Sequence, residues 1–189
     1  MKNTYPYLKV LAVACAGALA SCANQPQKTK LPVSASLRPD SSLTGQVLTE
    51  VNSYRRSHGA SDLQRHAGLD RLAHEHCEYL RQNRGKFGLY GKNVSHFGFE
   101  GRALVARERY QMMNVSENVA AATTGEKNAA PTLVKLWSES KDHEHNMRSA
   151  WTHTGVGVVV DSDGTVFSTQ LFATVSNSQM TMRDRFNRF

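Results

Sequence analysis

Val10 to Ala20 is an unbroken run of apolar and small residues preceded by Lys2 and Lys9, and it sets how much of the chain is available to fold. A spanning helix takes about 20 apolar residues, so this run is too short to be one. A positive start, a brief apolar stretch and a small-residue end are the layout of a secretory signal. Residues 1–21 are therefore expected to be removed, leaving 168 of the 189 residues. That length suits one domain, burying roughly 70% of the surface its unfolded chain would expose. Removal also takes away Cys15, so only Cys22 and Cys77 of the three cysteines remain.

Leu19-Ala20-Ser21-Cys22 resembles the bacterial lipobox, whose cysteine becomes the first residue of the mature chain and carries lipid, palmitate included. The resemblance implies that Cys22 is the lipidation site and the membrane is a partner. One acyl chain gives only marginal binding, whereas two or more hold a protein stably. The residue after Cys22 is Ala23 rather than the Asp that tends to retain lipoproteins in the inner membrane, so the implied location is the outer membrane of a double-membraned bacterium. The competing reading takes Ala18-Leu19-Ala20 as an ordinary cleavage site and yields a secreted soluble protein. With Cys22 given to lipid, Cys77 has no intramolecular partner, and the fold must stand on its core. Loss of Lys2 and Lys9 lowers the net charge from +7 to +5. A basic surface outside the cytoplasm favours anionic lipid or wall polymer as a partner, not nucleic acid.

Residues 22–42 form the lipidated N-terminus and a flexible tether, with Pro26, Pro32 and Pro39 among small and polar residues. Beyond it Leu43, Val47, Val51 and Tyr54 recur at helical spacing, with Gly59 as a stop. A second helix is expected from near Leu69 to Gly85, carrying Leu72, Ala73, His76, Cys77 and Leu80 on one face. Gly85 to Gly101 reads as a packed loop, followed by a short helix from Ala103 to about Tyr110. Val115 to Ala122 is a candidate strand. Pro131 opens a further helix, with Leu133, Trp137 and Ser140 on one side. Val156, Val158 and Val160 alternate along one closing strand and Val166, Ser168 and Gln170 along another, with Asp161-Ser162-Asp163-Gly164 as the turn between them.

Asn52-Ser-Tyr-Arg55-Arg-Ser-His-Gly59, Ser95-His96, Ser116-Glu117-Asn118-Val119-Ala120, Trp137-x-x-Ser140-x-x-His143-x-x-Asn146-Met147, Gly155-Val-Gly157 and Thr169-Gln170-Leu171-Phe172 follow one another in this order. Together they resemble the superfamily of cysteine-rich secretory proteins, antigen 5 and pathogenesis-related 1 proteins, the CAP or SCP-like domain. The resemblance covers most of Thr44 to Thr174, and the domain is expected over residues 43–176 with a basic tail over 177–189. It implies an α+β fold, a three-layer α/β/α sandwich with a small central antiparallel sheet. Disulfides of animal members are missing here, so the chain looks like the compact bacterial branch.

The resemblance also implies a cleft built from His96, Glu117 and His143, with Ser140 where many eukaryotic members have a second glutamate. Two imidazoles and a carboxylate can hold zinc or another divalent metal with a position left open. They can equally move protons near neutral pH. A serine can extend the hydrogen-bond network but cannot replace a charged ligand. The competing structural reading has His96 bracing the Phe97 and Phe99 loop while Glu117 and His143 satisfy one another. His74-Glu75-His76-Cys77 does not converge on one ion, since adjacent helical residues diverge by about 100°. His145 and His153 read as surface residues, Cys77 as a buried inert thiol, Trp137 as core, and Trp151 as lining or covering the cleft.

Three functions are consistent with these residues. The favoured one is a membrane-anchored extracytoplasmic binding module whose cleft takes a lipid or cell-envelope ligand. The second is a metal-assisted hydrolase with His96 and His143 holding the ion and Glu117 as base or third ligand. The third is a surface interaction protein with a vestigial cleft.

Overall fold

The computed structural model describes residues 42–86 and 95–175, so the signal and lipobox, the tether up to residue 41, the Phe87 part of the glycine-rich segment and the tail lie outside the described residues. Ser42, expected in the tether, begins the first helix. The elements run α1 (Ser42–Ser57), β1 (Gln64–Arg65), α2 (Ala67–Gln82), α3 (Phe99–Tyr110), β2 (Met112–Thr123), α4 (Ala129–Ser138), α5 (Lys141–Arg148), β3 (His153–Val160) and β4 (Thr165–Val175). The four strands form one sheet in the order β1-β3-β4-β2. The two long pairings, β2 with β4 and β3 with β4, are antiparallel, as expected. The two-residue β1 adds a parallel edge to β3 that the sequence pattern did not mark. So short a strand has no period to read.

Side chains alternate across each strand, and both faces of the sheet are covered. Val156, Val158, Val166 and Phe172 pack with Leu43, Val47, Val51, Leu133 and Trp137 of α1 and α4. The opposite face sends Leu171 and Ala173 against Leu69, Leu72 and Ala73 of α2, and Val159 and Phe167 against Cys77 and Leu80. This is the α/β/α sandwich. Each large apolar side chain buried in it contributes roughly 1.5–3 kcal/mol.

The opening motif is now explained physically. Gly59 takes φ 76° at the end of α1, a conformation that suits glycine. Asn52 clamps Leu63, accepting its N–H at 2.9 Å and donating to its carbonyl at 3.3 Å. Arg55, 1% exposed, donates to the carbonyls of Ser61, Met147 and Ser149. It thereby satisfies carbonyls at the end of α5 that have no helical partner.

Three expectations are corrected. First, α3 starts at Phe99 rather than Ala103, because Gly98 at φ 77° turns the chain into the helix four residues early. Second, the helix opened near Pro131 is two helices. Ser140 is extended, at φ −102° and ψ 119°, and caps the start of α5. The Glu144 N–H bonds the Ser140 carbonyl at 2.8 Å, beginning a new helical ladder. The break lets Trp137 stay fully buried while α5 swings to β2. Third, His153 is buried, not on the surface, because it begins β3 beside His66. Exposed His145 and buried Trp137 are as read.

Candidate functional site

Strand alternation puts Glu117 on the α2 and α3 side of β2, while Ser116 and Asn118 face α5. β2 is an edge strand, so groups from both helical layers meet around it. On the α5 side, Asn118 donates its side-chain amide to the His143 carbonyl at 3.0 Å and accepts from the Asn146 amide at 2.9 Å. Ser116 Oγ donates to Asn146 Oδ1 at 2.8 Å. Asn146 thereby links α5 to three successive residues of β2, since its amide also reaches the Glu117 carbonyl. This network sets where His143 stands.

On the other side, the His96 Nδ1 donates to Glu117 Oε1 at 2.9 Å. A carboxylate at Nδ1 keeps the ring proton on that nitrogen and orients the imidazole. The His96 and His143 rings lie 6.0 Å apart. The structure therefore brings His96, Glu117 and His143 together. Ser140 is different: its hydroxyl makes no hydrogen bond to any of the three, and it lies in the break before α5 rather than on a helical face with His143.

Arg102 is the residue the sequence reading missed. From α3 its guanidinium donates to both oxygens of Glu117, Nε to Oε2 at 2.7 Å and Nη2 to Oε1 at 2.9 Å. Nη1 also holds the Phe97 carbonyl. The Glu117 side chain is 2% exposed and that of Arg102 11%. Burial pushes the Glu117 carboxyl upward, but the hydrogen bonds from His96 and Arg102 outweigh it and hold it below the usual carboxylate range. His143 is held below the usual histidine range by burial first and by nearby His96 second.

His76 is a second addition. Its Nε2 donates to the Ser95 carbonyl at 2.8 Å, and burial pushes its pKa down to about 4. Neutral and fixed, it braces the backbone that carries His96. Stacking of His76 on Tyr79, and of Tyr79 on Phe97, holds the same segment to α2. His74 and His76 do not converge, as expected, yet His76 reaches the site alone.

These residues do not fit a divalent cation. Both oxygens of Glu117 are engaged by a guanidinium, which puts a positive charge where the metal would need a free carboxylate. Among the described residues no group of three His, Cys, Asp or Glu side chains is placed to hold a metal ion. Zinc on His96, His143 and Glu117 would have to compete with the Arg102 guanidinium for the carboxylate. The arrangement suits recognition: Arg102 and Glu117 neutralise one another, two imidazoles present polar edges, and Phe97 beside His96 is 67% exposed.

Cys77 is fully buried, its Sγ 3.4 Å from Thr169 Oγ1, and burial pushes its pKa up to about 12. The thiolate is the reactive form. Native protein should accordingly leave Cys77 unmodified by a thiol reagent near neutral pH, with full labelling in denaturant. Rapid labelling of the folded chain, followed by mass spectrometry, would contradict this placement.

The model of the cysteine-rich secretory protein (CAP) family matches residues 48–174. No curated protein matches the sequence. An outer surface protein of Borrelia burgdorferi has a similar structure, with a TM-score of 0.59 and 15% identity over 76% of this chain and 99% of its own. An extracellular SCP-domain protein of Bacillus anthracis gives 0.55 and 22% identity, over 70% of this chain and 40% of that one. A cysteine-rich secretory protein of Staphylococcus aureus gives 0.52 and 16%, over 69% and 38%. The chain thus spans about two fifths of the Bacillus and Staphylococcus chains and nearly all of the Borrelia one. At these identities the likeness shows the fold. The family match over most of the chain, together with the sandwich and the His96, Glu117 and His143 cluster at its edge strand, makes this protein a member of the cysteine-rich secretory protein (CAP) family.

Proposed function

We propose that this is an extracytoplasmic binding module, anchored to the membrane through lipid on Cys22, whose cleft at the β2 edge takes a lipid or other cell-envelope ligand. The observation that carries this reading is the two-point Arg102 to Glu117 pair. A carboxylate held by a guanidinium and kept below its usual pKa is a poor base and an occupied ligand. The metal-assisted hydrolase therefore loses its third group. What remains are two imidazoles beside a neutralised carboxylate and an exposed phenyl ring, groups suited to the boundary between a polar headgroup and an apolar chain. The extracytoplasmic location is supported by the signal-like start and by the family. The described residues contain no helix long and apolar enough to cross a membrane.

The test uses full-length protein expressed in a double-membraned bacterium and extracted in detergent. Fatty-acid analogue labelling should be lost in Cys22→Ser, and mass spectrometry of the organic extract should find an amphiphile with the wild type that falls at least severalfold in His96→Ala and His143→Ala. Equal recovery from all three would remove the cleft from the reading. Stoichiometric zinc uptake by the wild type at micromolar concentration would replace it with the hydrolase. Persistent labelling of Cys22→Ser would remove the anchor.

A further inference from the structure

A cavity of about 860 Å³ lies between the α1–β1 loop and the end of α5, and none of His96, Arg102, Glu117 or His143 lines it. Its volume falls within the range of small-molecule sites, roughly 300–1,000 Å³, but its walls do not match the apolar lining such sites usually have. The charged side chains are Arg55, Arg148, Asp62 and Glu144, two of each sign. They are also engaged. Arg55 is spent on three backbone carbonyls, Asp62 accepts both its bonds from Arg56, and Glu144 accepts from Tyr54 and Arg148. Each carboxylate is already paired with a guanidinium, Asp62 with Arg56 and Glu144 with Arg148, and Arg55 is filled by carbonyls, so the site is not built around one free charge. It does have many acceptor lone pairs left over, since each ionised carboxylate has about four.

The cavity also holds one rigid aromatic wall. Trp151 donates its indole N–H to the Asn146 carbonyl at 2.8 Å, and its ring packs 6.1 Å from Phe172. The ring is therefore fixed in orientation before any ligand arrives. A preorganised aromatic wall among paired carboxylates, arginines and hydroxyls is complementary to a molecule with an apolar C–H face and a rim of hydroxyl groups. We propose that the cavity bounded by Asp62, Glu144, Arg148 and Trp151 binds a neutral oligosaccharide, one sugar ring lying on Trp151 and its hydroxyls donating to the two carboxylates. The site is separate from the histidine cleft, and its occupation does not depend on what the cleft takes.

The chain has two tryptophans, and Trp137 is fully buried, so a ligand-induced change in indole emission reports Trp151. The experiment titrates full-length protein, in a detergent without a sugar headgroup, with triacetylchitotriose and with cellotriose. At least one should give a saturable change that added salt leaves unaltered. Ligand-observed saturation-transfer NMR should show binding weakened about tenfold or more in Trp151→Leu, the loss of an aromatic anchor. Because that variant removes packing against Phe172, Asp62→Asn serves as the second. It loses only an exposed ion pair, worth little to stability, and should bind severalfold more weakly with an unchanged unfolding midpoint. Three results would overturn the proposal: no saturation by either trisaccharide at millimolar concentration, displacement of the response by inorganic phosphate, or binding that survives both substitutions.

Discussion

Arg102→Ala is expected to destabilise the protein by about 3 kcal/mol at neutral pH, the low end of the cost of breaking a buried ion pair, because His96 stays to share the remaining carboxylate. The sign of its pH dependence follows from the Glu117 carboxyl. In the wild type that group sits below its ordinary value, so it contributes stability above the unfolded pKa, and the contribution is lost as pH falls through the lower folded value. Without the guanidinium, burial dominates and raises the folded pKa above the unfolded one. The ionised carboxylate then costs stability at neutral pH, and the cost fades as pH falls through the raised value. The gap between variant and wild type should therefore be widest near neutrality and narrow in mild acid. Adding Glu117→Gln should recover part of the loss, since two neighbours in one network are not additive. Urea unfolding of the wild type and the two variants across pH is the measurement. A single variant within about 0.5 kcal/mol of wild type, the range of ordinary surface changes, would mean that the pair is not the buried anchor of the cleft.

Gly157→Ala and Gly155→Ala should each be more damaging, at the upper end of overpacking or beyond, about 3 kcal/mol or more. A β-carbon on Gly155 would overlap the backbone of Leu69 and Asp70, and one on Gly157 the backbone of Ala73 and His74. Backbone cannot rotate out of the way as a side chain can, so α2 would have to lift from the sheet. That would also break the tie in which Asp70, buried on α2, accepts the Val156 N–H at 2.8 Å and Arg65 Nε at 2.6 Å. It would further disturb His76, which holds the Ser95 carbonyl. Soluble yield, urea midpoint and circular dichroism of both variants would show the loss, with Gly45→Ala as a control. Gly45 has open space around the position of a β-carbon. Native-like midpoints for the two strand variants would show that α2 does not approach β3 this closely.

These glycines illustrate what could be read along the chain and what could not. Gly155-Val-Gly157 was legible as a motif, but its reason, the close approach of α2, is a contact between residues far apart in sequence. The same holds for Asn52 and Arg55, whose spacing is visible while their partners, Leu63 and the carbonyls around Met147, are not. Ser168 and Gln170 stand at alternate positions along the sequence like the polar side of a one-faced strand, yet both are fully buried, because helices cover both faces of β4. A one-sided and a two-sided strand differ in what packs on them, and a short polar and apolar alternation does not report that.

The sequence by itself determined the helices with sustained apolar spacing, the β3–β4 hairpin with its Asp161 to Gly164 turn and the resemblance to the family, because periodicity, turn chemistry and motif order are properties of neighbours along the chain. The gathering of His96, Glu117 and His143 was implied only through that resemblance. Only the tertiary structure decided the break before Ser140, the parallel edge at Gln64–Arg65, the burial of His153 and the identity of the group that neutralises Glu117. Arg102 looks like any helical arginine until α3 packs beside β2. Its role comes from a buried carboxylate that must find a partner, and which partner it finds depends on which elements fold against that strand.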